Sequence, residues 1–256
     1  MPVRKRFGQH FLHDPQVIER IVDTLDPKPG ENLVEIGPGR GALTTRVLQR
    51  AGSLDVIEVD RDLAQLARDQ LGQHGALRVH EADALKFDFA SLKKTHLRVF
   101  GNLPYNISTP LLFHLMKQSA HISDMLFMLQ REVVERMTAS TGNKTYGRLT
   151  IMLAAVARVE YQFGVGRGAF HPPPRVDSAV VRLVPHATPP FELADPELFT
   201  RVVRVAFSHR RKTLRNALAS LATVADIEAA GQDPAARPET IDPAGFSAIT
   251  REIEGR

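Results

Sequence analysis

The 256-residue sequence contains no cysteine, which excludes disulfide bonds, thiolate zinc sites and a cysteine nucleophile. No apolar run approaches the roughly 18 residues that a membrane-crossing helix needs. The first residues, MPVRKRFGQHFLHD, lack the apolar centre of a signal peptide. The ten histidines include no helix-spaced pair with a supporting carboxylate, so we predict no metal site. These absences favour a cytoplasmic protein that makes no membrane contact.

Basic residues are concentrated in two segments. Residues 1–13 hold three Lys or Arg and no acid, and residues 201–215 hold six and no acid. Because the net charge is +4, subtracting these nine leaves the rest of the chain at −5. Such segments on a mildly acidic body suggest contact with a polyanion. The plainer alternative for each segment is a solvated helix face.

Apolar runs alternate with amphipathic stretches along the first 185 residues. This alternation predicts an α/β fold with a doubly wound, mostly parallel sheet. Helix-like segments such as PQVIERIVDTL and GALTTRVLQRA separate the strands. The seven predicted strands are NLVEIG (32–37), LDVIEV (54–59), ALRVH (76–80), LRVFG (97–101), MLFMLQ (125–130), RVEYQF (158–163) and AVVRLV (179–184).

The pattern changes near residue 186. The last two strands are joined by the proline-rich GRGAFHPPPRVDS without room for a long helix, so we expect an antiparallel hairpin at one edge of the sheet. After PHATPPFELADP the periodicity is only helical. We therefore predict a first domain over residues 1–186, which includes the basic arm, and a small all-helical domain over 187–256.

A glycine-rich turn, VEIGPGRGALT, lies between the first strand and the next helix. Gly37, Gly39 and Ala42 fit the dinucleotide fingerprint, and Glu58 or Asp60 follows about 20 residues later, where an acid binds a ribose hydroxyl. A nicotinamide cofactor and S-adenosylmethionine both carry that ribose. Pro38 favours the second weakly, because it removes an N–H group that would bind a pyrophosphate. A glycine turn without a ligand is the structural alternative.

Asp83 follows the third strand. Its carboxylate could accept a hydrogen bond from the amine of an adenine, or it could simply cap a turn, as Asp often does. Ligands of doubly wound sheets bind beyond the carboxyl ends of the strands. Because Asp83 shares that edge with Gly37 and Glu58, we favour the pocket.

The fourth strand ends in NLPY (102–105). The Asn102 side-chain carbonyl and the Leu103 backbone carbonyl could accept both N–H bonds of an exocyclic adenine amine and so increase its nucleophilicity. Pro104 restricts Leu103 to extended conformations, and the ring of Tyr105 offers a surface on which a base can stack. The alternative is a proline-containing loop with a partly buried tyrosine.

Five segments, in order, closely resemble those of the small-subunit ribosomal RNA adenine dimethyltransferases: KRFGQHFLHD, VEIGPGRGALT, FGNLPYNIST, HPPPRVDSAVVRL and AFSHRRKTLRNAL. The resemblance covers about residues 4–218. It implies a Rossmann-like methyltransferase fold that uses S-adenosylmethionine to dimethylate N6 of two adjacent adenosines in a hairpin near the 3′ end of the RNA. It also implies a role in rRNA processing and ribosome biogenesis, with immature small subunits as the partner of a monomeric enzyme.

The resemblance also implies roles for single residues. His10, where many members have Asn, and Leu12 would border the cofactor. Gly37 would lie against its methionine portion, Glu58 on its ribose and Asp83 on its adenine, with Asn102 between cofactor and target.

RNA contacts are expected in two further places. Phe170 either covers the target base opposite Tyr105 or is a core aromatic. Arg210, Arg211, Lys212 and Arg215 are expected to bind RNA phosphates.

Three alternatives stay open at the level of sequence. The first is a large-subunit adenine methylase of the macrolide-resistance type, which shares the fold and an NLPY-like loop. The second is an RNA-binding assembly factor whose methylation is incidental, and the third is an NAD-linked oxidoreductase. RRKTLRNAL and HPPPRVDS favour the small-subunit enzyme.

Overall fold

The computed structural model describes residues 10–193, 195–209 and 211–255. Contacts between residues divide the chain into two compact units. One comprises the described residues up to Val134 together with Glu160–Pro185, and we call it the sheet unit. The other comprises Glu135–Val159 together with the described residues from His186 onward, and we call it the helical unit.

Nine strands lie within the described residues, and the apolar runs of the sequence form most of them. Seven strands make one sheet, in the order β4-β3-β2-β5-β6-β9-β7, and the short β1 and β8 pair separately. The strands are β1 (Phe11–Leu12), β2 (Leu33–Ile36), β3 (Ser53–Glu58), β4 (Ala76–Glu81), β5 (Leu97–Asn102), β6 (Ile122–Gln130), β7 (Ala157–Val165), β8 (Phe170–His171) and β9 (Ser178–Pro185).

The sheet is mostly parallel, as the sequence predicts. β2 lies between β3 and β5 and is parallel to both, and β4 and β6 continue the parallel pairing on either side. The fourth strand of the sheet, β5, therefore lies beside the first, β2. β9 is antiparallel to β6, and β9 and β7 are neighbours at one edge, where the sequence predicts its hairpin. The pairing of β1 with β8 was not predicted.

Helices follow the predicted amphipathic segments, and several start at a side-chain cap. Asp14 accepts hydrogen bonds from the backbone N–H groups of Gln16 and Val17, and Pro15 occupies the first turn of α1. The helices are α1 (Pro15–Leu25), α2 (Ala42–Ala51), α3 (Arg61–Gln70), α4 (Ser108–Met116), α5 (Arg131–Met137), α6 (Arg148–Ala154), α7 (Pro196–Ser208), α8 (Leu214–Ala217), α9 (Val224–Ala229) and α10 (Pro243–Glu254).

Each unit buries its own apolar residues. In the sheet unit, Val22 and Leu48 from the helices pack with Val56 and Phe100 of the sheet. The burial of such side chains removes apolar surface from water and fixes α1 and α2 on the sheet. The result is a rigid support for the loops at the carboxyl ends of β2 to β5.

The core of the helical unit is formed by α6, α7 and α10. Ile151, Phe199 and Phe246 are all buried there, and the hydroxyl of Tyr146 donates to the Ile241 carbonyl at 2.8 Å. Residues Glu135–Val159 therefore pack in this unit, although the sequence analysis places them before the boundary near residue 186. The predicted boundary between folding domains stays a prediction.

Neither a membrane-length apolar helix nor a cluster of three or more potential metal ligands is present among the described residues.

Candidate active site

A cavity of about 360 Å³ opens at the carboxyl ends of β2 to β5 in the sheet unit. This volume is typical of a small-molecule site. The strand pairing explains why residues distant in the sequence meet there, since parallel neighbours all end at the same edge. The cavity is lined by nine of the residues that the sequence analysis selected: His10, Leu12, Gly37, Glu58, Asp83, Asn102, Leu103, Pro104 and Tyr105.

The glycine turn forms one wall of the cavity. Gly37, Gly39 and Gly41 have φ angles of 69°, 56° and 83°, which side chains rarely adopt. The turn is held by two backbone bonds, from Gly37 N–H to the Ile57 carbonyl at 2.9 Å and from Gly41 N–H to the Pro38 carbonyl at 2.8 Å. A Cβ built on Gly37 would meet no atom within 4 Å, so the backbone is open to a ligand at that point.

Two carboxylates stand on the same side of the cavity as the glycine turn, and we call this side the glycine end. Glu58 is only 6% exposed and accepts a hydrogen bond from the Asp60 N–H at 2.9 Å. Burial raises the pKa of its carboxyl, while backbone N–H groups around it act in the opposite direction. Asp83 accepts from the Leu85 N–H at 3.0 Å. Asp83 thus makes the turn contact that was its structural alternative and also lines the cavity.

The opposite side of the cavity is formed by Asn102 to Tyr105, and we call it the NLPY end. The Asn102 side-chain nitrogen donates to the His10 backbone carbonyl at 3.0 Å. Among the described residues, no group donates to the Asn102 side-chain oxygen or to the Leu103 carbonyl. The Leu103 N–H donates to the Met128 carbonyl at 3.2 Å. Leu103 is therefore anchored through its N–H, while its carbonyl remains available as an acceptor.

Tyr105 is held from two sides. Its hydroxyl lies 2.7 Å from the hydroxyl of Ser178, and its ring lies 5.8 Å from the His10 ring at an angle of 31°. His10 is itself fixed, since its Nδ1 lies 2.8 Å from the Pro172 carbonyl. Partial burial raises the pKa of the Tyr105 hydroxyl. These contacts fix the orientation of the ring at the NLPY end.

Phe170 does not line this cavity. Its side chain is 2% exposed and lies in the core of the sheet unit, while its backbone pairs with Leu12. A ring buried in this way has no face for a target base, so stacking by Phe170 does not fit this conformation. The burial agrees with the alternative, a core aromatic.

The predicted phosphate contacts lie in the helical unit or outside the described residues. Arg211, Lys212 and Arg215 are exposed next to or within the short α8. Arg210 lies outside the described residues. The exposed cations are available to a polyanion, and they are not part of the cavity lining.

Several cavity residues were missed by the sequence analysis. Glu35 is 2% exposed and lines the cavity, and its carboxyl accepts a 2.6 Å hydrogen bond from Thr44 Oγ1. Burial raises the pKa of Glu35 to about 8. An acid within an otherwise apolar strand is the sequence signal that could have identified Glu35. Val59, which directly follows Glu58, is 50% exposed and offers an apolar surface to the same cavity.

Comparisons with known proteins agree with this geometry. The family model described as ribosomal RNA adenine dimethylase matches residues 2–250. A protein of Pseudomonas aeruginosa called ribosomal RNA small subunit methyltransferase A is 55% identical over 252 residues, covering 98% of this chain and 94% of its own length. The protein of the same name from Marinobacter nauticus is 52% identical and covers 96% and 90%.

Solved structures give the same result for the fold. A dimethyladenosine transferase from Plasmodium falciparum aligns with a TM-score of 0.81 at 27% identity, over 96% of this chain and 98% of its own. The 23S rRNA methyltransferase ErmE aligns with a TM-score of 0.75 at 27% identity, over 95% and 99%. Because the family model spans nearly the whole sequence and relatives exceed half identity, the chain belongs to the ribosomal RNA adenine dimethylase family.

Proposed function

We propose that this protein dimethylates N6 of two adjacent adenosines in a hairpin near the 3′ end of small-subunit ribosomal RNA. The observation that carries the proposal is the arrangement at the NLPY end. The Asn102 nitrogen is bonded to the His10 carbonyl, while the Asn102 oxygen and the Leu103 carbonyl have no donor among the described residues. Two such acceptors beside a cofactor-sized cavity match the two N–H bonds of an adenine amine.

Members of this family take their methyl groups from S-adenosylmethionine. The residues of the glycine end fit that cofactor. The open backbone at Gly37 leaves space for its methionine portion, and the carboxylates of Glu58 and Asp83 are acceptors for a ribose hydroxyl and an adenine amine. Leu12 and the exposed Val59 supply apolar surface. We propose these residues, with His10, as the cofactor site.

When bound, the cofactor supplies a methyl group on a positively charged sulfur. The chain's own residues position the target. Asn102 and Leu103 accept hydrogen bonds from the target amine and direct its lone pair away from the ring, and Pro104 restricts Leu103. Tyr105, fixed by Ser178, provides the stacking surface. Catalysis of this kind depends on position and orientation, and unstacking the adenosine costs a few kcal/mol.

The small-subunit target is favoured over the large-subunit alternative by sequence identity. Relatives called small subunit methyltransferase A reach 52–55% identity, whereas ErmE, called a 23S rRNA methyltransferase, is 27% identical. We also propose that the protein acts as a monomer on immature small subunits in the cytoplasm. Arg211, Lys212 and Arg215 of the helical unit, with Arg210, would bind phosphates of that RNA.

The decisive experiment maps methylated adenosines. Unmethylated small-subunit particles and unmethylated large-subunit particles are incubated separately with the protein and S-adenosylmethionine carrying a labelled methyl group. We expect label on two adjacent adenosines near the 3′ end of the small-subunit RNA and none on the large-subunit RNA. Label on the large-subunit RNA alone would overturn the proposal.

A further inference from the structure

The loop between β7 and β9, residues 166–177, carries exposed positive charge. We call it the proline loop. Arg167 and Arg175 are both exposed within it, and the sequence from 161 to 176 contains no acidic residue. Val176, beside Arg175, is 45% exposed. Exposed basic side chains with an exposed apolar neighbour form a surface that suits the phosphate and sugar groups of a nucleic acid.

Hydrogen bonds tie the end of this loop to the NLPY end of the cavity. The Arg167 N–H donates to the Asp177 carboxylate at 3.2 Å, and the next residue, Ser178, bonds the Tyr105 hydroxyl at 2.7 Å. Arg175 precedes Ser178 by three residues, so their Cα atoms are at most about 11 Å apart. The backbone of both arginines therefore lies near Ser178 and the NLPY end of the cavity, where the target base is proposed to lie.

The charges of Arg167 and Arg175 are not neutralised within the described part of the chain, where neither forms a salt bridge. The nearby Asp177 carboxylate accepts a hydrogen bond from the Arg167 backbone N–H and forms no salt bridge with either guanidinium in the described structure, so the proline loop keeps a net positive charge. Six other arginines of the sheet unit, in contrast, pair with acids: Arg46, Arg50, Arg68, Arg78, Arg98 and Arg182. Exposed, unpaired guanidinium groups are well suited to bind phosphate in a bidentate manner.

We propose that Arg167 and Arg175 bind the RNA phosphates that flank the target adenosine. This inference rests on the proposed function, since it assumes an RNA adenosine at the NLPY end. Contacts to the backbone fix the register of a nucleic acid without reading its sequence. A nucleotide extruded toward Tyr105 needs such contacts on its flanks, because its unstacking is unfavourable. In this proposal both the sheet unit and the helical unit bind the RNA.

The test compares two double variants with equal loss of charge. In R167Q/R175Q the proline loop is neutralised. K93Q/K117Q neutralises two exposed lysines that precede β5 and β6. They lie near the amino ends of these strands, whereas the cavity lies at the carboxyl ends. An unmethylated small-subunit rRNA hairpin is the probe, and its affinity is measured over a range of salt concentrations. S-adenosylmethionine affinity and melting temperature are measured for both variants.

We expect R167Q/R175Q to bind the hairpin about tenfold more weakly than wild type and to show a slope of log affinity against log salt that is shallower by roughly 1.4, since each single-strand phosphate contact contributes about 0.7. KM for RNA rises, while kcat, S-adenosylmethionine affinity and melting temperature are kept. R167K/R175K keeps the charge but not the guanidinium fork, so we expect its slope to equal that of wild type with an intermediate affinity.

Wild-type affinity and slope in R167Q/R175Q, or an equal loss in K93Q/K117Q, overturn the inference. The two proposals fail separately. If wild type methylates the RNA and R167Q/R175Q binds it unchanged, only the phosphate contacts are wrong. If R167Q/R175Q weakens hairpin binding but wild type methylates no adenosine, only the proposed reaction is wrong.

Discussion

Asn102 is oriented by a group far away in the sequence. Its amide nitrogen donates to the His10 carbonyl, and His10 is held in turn by the β1–β8 pairing that begins at the next residue. An isolated amide could present either its oxygen or its nitrogen to the cavity. With the nitrogen bonded to His10, the oxygen is the atom left for a target amine, which gives the side chain one role.

Replacing Asn102 with Ala removes that acceptor and leaves the cavity walls in place. We expect N102A to lose methyl transfer by about 10²- to 10³-fold, the range found when one positioned hydrogen-bonding group is removed from an active site. RNA affinity should be kept. The measurement is the single-turnover rate of labelled methyl transfer.

Asn32→Ala is the matched control for N102A. The Asn32 side chain also donates to a backbone carbonyl, that of Thr95 at 2.9 Å. Asn32 precedes β2, however, and so lies at the amino end of this strand, whereas the cavity lies at the carboxyl ends. We expect wild-type rates in N32A. Substantial dimethylation by N102A would remove Asn102 from the mechanism.

Glu35 links the cavity to the pH dependence of stability. Burial raises its pKa from the ordinary 4.5 to about 8. Below pH 4.5 the carboxyl is protonated in both the folded and the unfolded chain. Between pH 4.5 and 8 only the unfolded chain releases the proton, so this group lowers the free energy of unfolding as the pH rises. The loss is complete above about pH 8.

We expect Glu35→Gln, which cannot ionise, to lack this decrease. The free energy of unfolding of E35Q minus that of wild type should grow by up to a few kcal/mol between pH 5 and pH 8. Urea unfolding at a series of pH values measures it, with the exposed Glu132→Gln as the control for loss of a carboxyl. A difference that is equal at pH 5 and pH 8 would contradict the expectation.

At the scale of elements, strand ends were easier to predict than loop conformations. NLVEIG, LDVIEV and LRVFG match the parallel strands β2, β3 and β5 to within one residue at each end. The parallel order of these strands then brings Gly37, Glu58 and Asn102 together at the carboxyl ends. Continuous apolar runs and glycine turns are local features, so the sequence alone carries them.

Contacts between distant segments could not be predicted in this way. The pairing of β1 with β8 joins segments about 160 residues apart, and it accounts for the burial of Phe170. No local pattern in FL or FH indicates a strand of two residues. The bond between Tyr105 and Ser178 likewise depends on β9 lying next to β6, which is a property of the completed sheet.

Gly101 allows the close approach of β5 to β2 that positions NLPY. It lies in β5, directly before Asn102, and a Cβ built on it would lie 2.4 Å from the Ile36 carbonyl oxygen of β2. The atom that would clash belongs to the backbone in the centre of the sheet, so the movement of a side chain cannot relieve the clash. Only glycine allows β5 to approach β2 this closely.

We expect Gly101→Ala to lower the free energy of unfolding by about 1 to 3 kcal/mol, as overpacking does, and to reduce methyl transfer through displacement of Asn102. Gly72→Ala is the control, because a Cβ there meets no atom within 4 Å. Chemical denaturation and methyl-transfer rates measured on both variants test this. A G101A variant as stable and active as wild type would show that the strand spacing is not limiting.

At the scale of the whole molecule, exposed basic residues lie outside the cavity that holds the proposed chemistry. The cavity that holds the proposed chemistry lies in the sheet unit, whereas Arg211, Lys212 and Arg215 are exposed in the helical unit. Contacts with phosphate are electrostatic and independent of base identity. Removing these charges should therefore weaken RNA binding without changing the cofactor site.

We expect the triple variant R211Q/K212Q/R215Q to show a slope of log RNA affinity against log salt that is shallower by roughly 2, since three single-strand contacts are lost. Its S-adenosylmethionine affinity should equal that of wild type, because no cavity residue is changed. The control triple K28Q/K93Q/K117Q removes the same charge from exposed loops that precede β2, β5 and β6. Equal slopes in both triples would mean that net charge, and not a defined RNA surface of the helical unit, governs binding. A slope change confined to R211Q/K212Q/R215Q, with the cofactor affinity kept, requires that the helical unit contacts the RNA directly.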